Sequence, residues 1–465
     1  MRTAAVWALL VGRAGLYIAL VWFMLWAFRW TRTRSPTIGT ILAFGIIVRA
    51  VLGSLLFAIS YFELPFLARL QLGGGFWTLA PDARSYFYAA ASAVDSGIST
   101  IPDSSASPGY VRLLALWMEL FGASPASAAL LNLATYVLIV ILIVAASRAV
   151  VTAAIACGAV TLSPALIIFG TQALKDSLSV MLVVLALAGV RMCVKSLNGT
   201  SPHPQKDGVL GAIDLSAAVF GFSGIRPYFA LFVVVSVFAM ALAAIVMASS
   251  RKQRLKAFAG YAVLLPLLWL MLMMGAPSYS RYYGSLLHAT FRQPWRLAAE
   301  LDTARAGFRA TGGATSLDGQ SASDEVPPLP LRWADITGES LVPRAARLVR
   351  GWAVMFVPIT ILRARSVVSF TGGRGLLVMT DLDTLVMDAG IIASLLLLLR
   401  KNPQADSMSI AVFALVLAAL TAVSMAYVVT NYGTLFRLRL LAAAPIWVLP
   451  AFVGRVAAAR LSRPE

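Results

Sequence analysis

Four short groups of residues carry the chemistry this sequence could perform. In Pro81-Asp82-Ala83-Arg84-Ser85-Tyr86 the aspartate precedes the tyrosine by four positions, which on a helix puts a carboxylate and a phenol on one face. A carboxylate beside aromatic rings can take a proton from a hydroxyl while a sugar stacks nearby; the plainer reading of Asp82 is a helix cap. Lys175-Asp176 follows Gln172-Ala173-Leu174 and is either an ion pair at a helix start or part of a binding surface. Arg226 stands alone in Ile225-Arg226-Pro227-Tyr228, as an interfacial anchor or an anion contact. Arg437 and Arg439 close the run from Asn431 through Phe436. Their planar guanidinium groups suit phosphate oxygens, on a lipid-linked substrate or on ordinary anionic headgroups.

The elements that must position these groups are membrane helices. Of the 465 residues, 60% are hydrophobic and 12% charged, against about a quarter charged in a soluble domain. The apolar excess lies in runs of about twenty residues, the length that crosses a hydrocarbon core. In lipid every backbone polar group needs an internal partner, so such runs must be helices. We read about eleven of them: 4–28, 37–60, 124–146, 148–170, 174–195, 208–225, 227–249, 257–276, 378–400, 408–430 and 437–457. The apolar run after Arg2 reaches Phe28 without a small-residue cleavage site, so a retained first helix is expected.

Net charge is +18. In a soluble chain that would suggest a nucleic-acid partner; here Lys and Arg mark cytoplasmic connectors, and no nucleic acid is expected. Arg29, Arg32 and Arg34, then Arg251, Lys252, Arg254 and Lys256, then Arg400 and Lys401, then Arg455, Arg460 and Arg463 fall on one side if the N-terminus is outside and the C-terminus inside. The expected fold is therefore an all-α polytopic membrane protein with two long outer segments. Residues 1–276 hold the first eight spans and outer loop 61–123, whose stretch from Tyr110 is amphipathic and suits the interface plane. Residues 277–377 form a second outer loop, with an apolar segment from Arg344 to Leu362 that breaks near Pro358. Residues 378–465 hold the last three spans. Cys157 and Cys193 lie in predicted spans, and His203 and His288 lie far apart. Neither pair suggests a disulfide or a metal cluster. Arg13 and Arg49 sit near mid-depth in the first two spans; they could pair with Asp214, face a polar cavity, or mark spans whose boundaries are shifted.

The order of helix, outer loop with Asp-x-x-x-Tyr, interfacial helix and then many spans resembles the membrane-embedded GT-C glycosyltransferases, in particular bacterial protein mannosyltransferase-like enzymes. Asp82 with Tyr86, the run Ser107-Pro108-Gly109-Tyr110 through Leu120-Phe121-Gly122-Ala123-Ser124-Pro125, and Leu130-Leu131-Asn132-Leu133 carry the likeness over residues 37–200. The closing Gly433-Thr434-Leu435-Phe436-Arg437-Leu438-Arg439 is similar to a motif in related bacterial polysaccharide membrane proteins. The sequence departs from the family at Ala83, where many members carry a second acidic residue, and in an extra span before the family's first helix. It also lacks the large soluble C-terminal domain of some members.

The resemblance implies an inverting hexosyltransferase of the cell envelope, working in polysaccharide biosynthesis at the inner (cytoplasmic) membrane. Its partners would be a polyprenyl-phosphate-linked sugar, a glycan or lipid acceptor, and membrane lipids. Asp82 would be the catalytic base. Tyr86, Lys175, Asp176, Arg226, Arg437 and Arg439 would bind substrate. A divalent metal stays open, with no ligand cluster evident. Two other readings remain. An O-antigen or exopolysaccharide polymerase or ligase would use the late loop with Arg281, Arg292, Arg296, Arg305 and Arg309. A lipid or solute transporter would use charges within spans, such as Arg13, Arg49 and Asp214.

Overall fold

The computed structural model describes residues 2–103, 107–147, 149–248, 250–275, 341–365, 374–399, 405–429 and 432–453, together with Pro277 and Arg305. Its helices are α1 (Arg2–Arg34), α2 (Pro36–Tyr61), α3 (Pro81–Ser96), α4 (Pro108–Phe121), α5 (Pro125–Ala146), α6 (Val150–Leu162), α7 (Pro164–Phe169) and α8 (Asp176–Leu197). Then come α9 (Pro204–Ile225), α10 (Pro227–Met247), α11 (Arg251–Gly275), α12 (Leu341–Phe356), α13 (Ile359–Ala364), α14 (Arg374–Leu399), α15 (Ala405–Val428) and α16 (Tyr432–Val453). The sheet among the described residues is a short antiparallel hairpin, β1 (Gln71–Gly73) with β2 (Phe76–Trp77).

Nine of the described helices are long and apolar enough to cross a bilayer: α1, α2, α5, α8, α9, α10, α11, α15 and α16. The protein is an all-α, multi-pass membrane protein. One expected span takes another form. The run 148–170 is broken into α6 and α7 at Ser163-Pro164, because Pro164 has no N–H to continue the ladder. The run 378–400 forms one 26-residue helix, α14, which carries Asp381, Asp383 and Asp388; Asp383 is buried against Arg439.

Prolines also set many helix starts. Pro36, Pro81, Pro108, Pro125, Pro164, Pro204 and Pro227 each open a helix, where the missing donor costs nothing and φ is already helical. At Arg226-Pro227 the same chemistry makes a junction. The residue before proline is pushed out of the helical region, so Arg226 adopts φ −145° and ψ 79° between α9 and α10. Pro358 likewise separates α12 from α13. The helix α4 buries Tyr110, Val111, Leu114, Met118 and Phe121 and exposes Leu120. It packs on α3, α5 and α9, so its apolar face is spent on the protein.

The helices share two ends. Asp176 at the start of α8 meets Arg226 at the α9–α10 junction, and Gly275 at the end of α11 approaches Ser223 and Gly224 near the end of α9. At the opposite end, Lys256 of α11 donates to the Ser196 carbonyl near the end of α8 at 3.2 Å. The basic stretch Arg251–Lys256 and the candidate site therefore lie at opposite ends of the bundle.

Candidate functional site

The site is built where α3, α4, α8, α16 and the α9–α10 junction converge. Asp82 occupies the first turn of α3, and Ala80, not Asp82, stands at the cap position. Its carboxylate instead accepts from Arg437 Nη2 at 3.0 Å. The Asp82 side chain is 49% exposed, whereas that of Arg437 is 10% exposed. Asp176 opens α8, where the free N–H groups and the dipole favour an anion. It lies between two guanidinium groups: Arg226 is hydrogen-bonded to its Oδ1, and Arg437 Nε stands 3.3 Å from its Oδ2. Arg226 also donates to Ser179 Oγ at 3.1 Å and to the Tyr228 hydroxyl at 3.2 Å. Arg226 thus fixes Asp176, and Arg437 bridges the two carboxylates.

Lys175 lies in the turn before α8. Asn132 holds that turn to α5 through the Gln172 carbonyl at 2.7 Å. Lys175 Nζ donates to Ser107 Oγ and, at 3.4 Å, to the Ile225 carbonyl. It also stands 5.1 Å from the Tyr86 ring centroid. Burial, then the neighbouring charges of Arg226 and Arg437, hold its amine well below the usual lysine range. Tyr86 is one turn beyond Asp82 on α3, and burial followed by the Asp82 charge pushes its phenol up. Burial pushes Tyr110 up further, so both phenols keep their protons at neutral pH. The two rings meet edge-on at 5.4 Å. The Tyr110 hydroxyl is buried without a hydrogen-bond partner among the described residues.

Local backbone geometry supports this convergence. Ser107 caps α4 in the left-handed region, with φ 66° and ψ 58°, a conformation costly for a residue with a side chain. Two residues on, a Cβ on Gly109 would sit 2.8 Å from the Gly224 Cα. Only glycine lets α4 approach α9 closely enough for Ser107 to reach Lys175.

Six of the seven residues expected from spacing are therefore neighbours: Asp82, Tyr86, Lys175, Asp176, Arg226 and Arg437. Arg439 is not. On a helix, positions two apart point about 200° away from each other, so Arg439 faces the bundle interior. There it donates to Asp383 Oδ2 at 2.7 Å and Thr384 Oγ1 at 2.8 Å, with the Met355 carbonyl at 3.2 Å.

No family profile, curated protein or solved structure matches this chain.

Ser107 and Tyr110 complete the site without standing out by spacing. The signal they carry is the Ser-Pro-Gly-Tyr run at a helix start. Among the described residues no group of three His, Cys, Asp or Glu side chains stands together. The two carboxylates of the site already hold guanidinium groups, which is a poor donor set for a divalent cation.

The mid-depth arginines have structural partners. Arg49 donates to the Val160 carbonyl at 3.0 Å and the Thr161 carbonyl at 3.4 Å, and its guanidinium lies 3.9 Å from the Tyr136 ring centroid. Pro164 is the residue that would otherwise bond Val160, so Arg49 supplies the missing donor. Arg13 reaches the Glu119 carbonyl at 3.4 Å. Neither is paired with Asp214. Arg305 donates to the Tyr427 carbonyl; Arg281, Arg292, Arg296 and Arg309, like Asn431, lie outside the described residues.

Proposed function

We propose that the protein transfers a sugar from a polyprenyl-phosphate carrier to a hydroxyl of a glycan or lipid acceptor, at the outer face of the inner membrane. One observation carries this reading. A half-exposed carboxylate, Asp82, sits at the mouth of a buried cationic cluster, tied to it through Arg437. Such a cluster at one end of membrane helices suits the phosphate of a lipid-linked donor. A carboxylate at its rim suits proton removal from an incoming hydroxyl.

In this mechanism the donor phosphate takes the Arg437 guanidinium from Asp82. Asp82 then faces the acceptor and accepts its hydroxyl proton. The acceptor oxygen forms a bond to the anomeric carbon as the bond from that carbon to the phosphate oxygen breaks. The phosphate leaves with the electron pair, and the configuration inverts. Fixed cations stabilise the charge that develops on the leaving phosphate. Tyr86 and Tyr110 line the same space as phenols, able to stack on or donate to the sugar. The basic connectors at the opposite end of the bundle support the outward orientation.

A carrier would need open charges along a path through the spans. The broken helix α6–α7 is the place to look, and its freed groups are bonded to Arg49 and Asp383.

The direct test is transfer by purified protein from a polyprenyl-phosphate hexose. Removing a general base lowers turnover by about 10²- to 10⁴-fold, the loss expected of Asp82→Asn with folding intact. Near wild-type turnover in that variant would remove Asp82 from the base role.

A further inference from the structure

Charge balance within the site singles out Lys175. Arg226 and Arg437 face Asp176 and Asp82, so two cations meet two carboxylates. Lys175 is the cation left over. Among the described residues no carboxylate lies within ion-pair distance of its amine; its contacts are a serine hydroxyl, a backbone carbonyl and a phenol ring. The charged groups that face it are Arg226 from the α9–α10 junction, Arg437 from α16, Asp176 from α8 and Asp82 from α3. Tyr86 from α3 is the titratable ring against it, with Tyr110 of α4 behind that ring.

A buried ammonium beside two guanidinium groups is disfavoured by lost hydration and by like-charge repulsion. An arriving anion reverses both effects. Four fixed charges that cancel stay cancelled when one negative charge and one proton enter together.

We propose that Lys175 and Arg437 bind the anion jointly, and that Lys175 takes up one proton from solvent as the anion enters. The inference rests on reading the site as a phosphate site and adds how its charge is kept in balance. It makes donor affinity pH-dependent. Where the empty site has lost the proton and the occupied site keeps it, affinity falls about tenfold for each unit of rising pH. It also places Ser107, in its strained conformation, as the residue that holds the amine in position.

The test is calorimetric titration of the full chain in detergent with farnesyl methyl phosphate, a diester whose single charge does not titrate near neutrality. Buffers of different protonation enthalpy give the proton count. Wild type should take up close to one proton per diester bound. Lys175→Arg, which cannot lose its proton, should bind with no uptake. Lys175→Met mimics the neutral side chain; it should keep its thermal stability and lose both uptake and most affinity. Diethyl phosphate, without the isoprenyl chain, should bind more weakly with the same uptake.

Binding by wild type without uptake overturns this inference and leaves the phosphate site standing. Equal uptake by Lys175→Arg places the proton elsewhere and also overturns it. A loss of stability in Lys175→Met would make the lysine a charged structural contact. Absence of diester binding by wild type overturns the phosphate reading itself.

Discussion

Arg437 and Arg439 stand two residues apart on α16, yet their guanidinium groups live in opposite surroundings. Arg439 and Asp383 are both fully buried, with side-chain exposures of 0% and 0%. Most of their remaining groups bond to the fold, although Arg439 Nε is buried without a hydrogen-bond partner among the described residues. Asp383 accepts from Ser163 Oγ and the Ala165 N–H at 2.9 and 2.8 Å, capping α7 beyond the break at Pro164. One charge meets one charge, and the neighbours are backbone and hydroxyl groups. Around Arg437 two guanidinium groups meet two carboxylates, a lysine stands beside them with no carboxylate of its own, one carboxylate is half exposed, and a buried phenol lacks a partner among the described residues. A sealed cluster holds helices together; a cluster with an uncommitted lysine and an open rim is suited to a ligand.

Substitutions can break or sharpen this contrast. The largest effect on stability is expected from Arg439→Met, which leaves Asp383 charged and without its cation. Breaking a buried pair in this way costs about 3–5 kcal/mol, to be read as a lower unfolding midpoint in detergent. Replacing both partners, Arg439→Met with Asp383→Leu, should recover much of that loss, since an apolar pair removes the stranded charge.

Next comes Arg49→Met, which strands the Val160 carbonyl. An unsatisfied buried acceptor costs about 1–3 kcal/mol. The cost should shrink in a Pro164→Ala background, where residue 164 regains an N–H for Val160. An undiminished cost there would show that Arg49 acts in some other way, through Tyr136 for example.

Gly109→Ala should cost about 1–3 kcal/mol, as overpacking does, and should also weaken diester binding, because it displaces Ser107 from Lys175. Stability loss with unchanged binding would uncouple the α4–α9 contact from the site. Smallest of all is Asp103→Asn, at the exposed ion pair with Arg112. Exposed pairs of this kind contribute about 0–1 kcal/mol, so its midpoint should stay near wild type.

Much of this arrangement is legible in the sequence, because membrane burial makes charges conspicuous. Asp82, Lys175, Asp176, Arg226 and Arg437 stand at span ends where orientation does not call for them, and they meet in space. Tyr86 follows from helical spacing. Arg439 misleads because proximity in sequence suggests a shared role, while the helical turn sends it the other way. Asp383 is silent in the sequence because it lies inside a long apolar run. Its purpose depends on a proline more than 200 residues away, at Pro164. Arg49 is conspicuous for the same reason as the site residues, yet its partners are backbone carbonyls, which no side-chain pattern reveals. The span at 148–170 differs from expectation through one proline that a hydropathy window averages away.

The most direct test of the contrast compares Arg437→Gln with Arg439→Gln in the binding of farnesyl methyl phosphate to folded protein. Arg437→Gln should lose at least about tenfold in affinity, the equivalent of 1.4 kcal/mol, with an unfolding midpoint near wild type, since Asp176 keeps Arg226. Arg439→Gln should unfold at lower temperature and, below that temperature, bind as wild type does. Equal affinity losses in the two variants, or full binding by Arg437→Gln, would contradict the account.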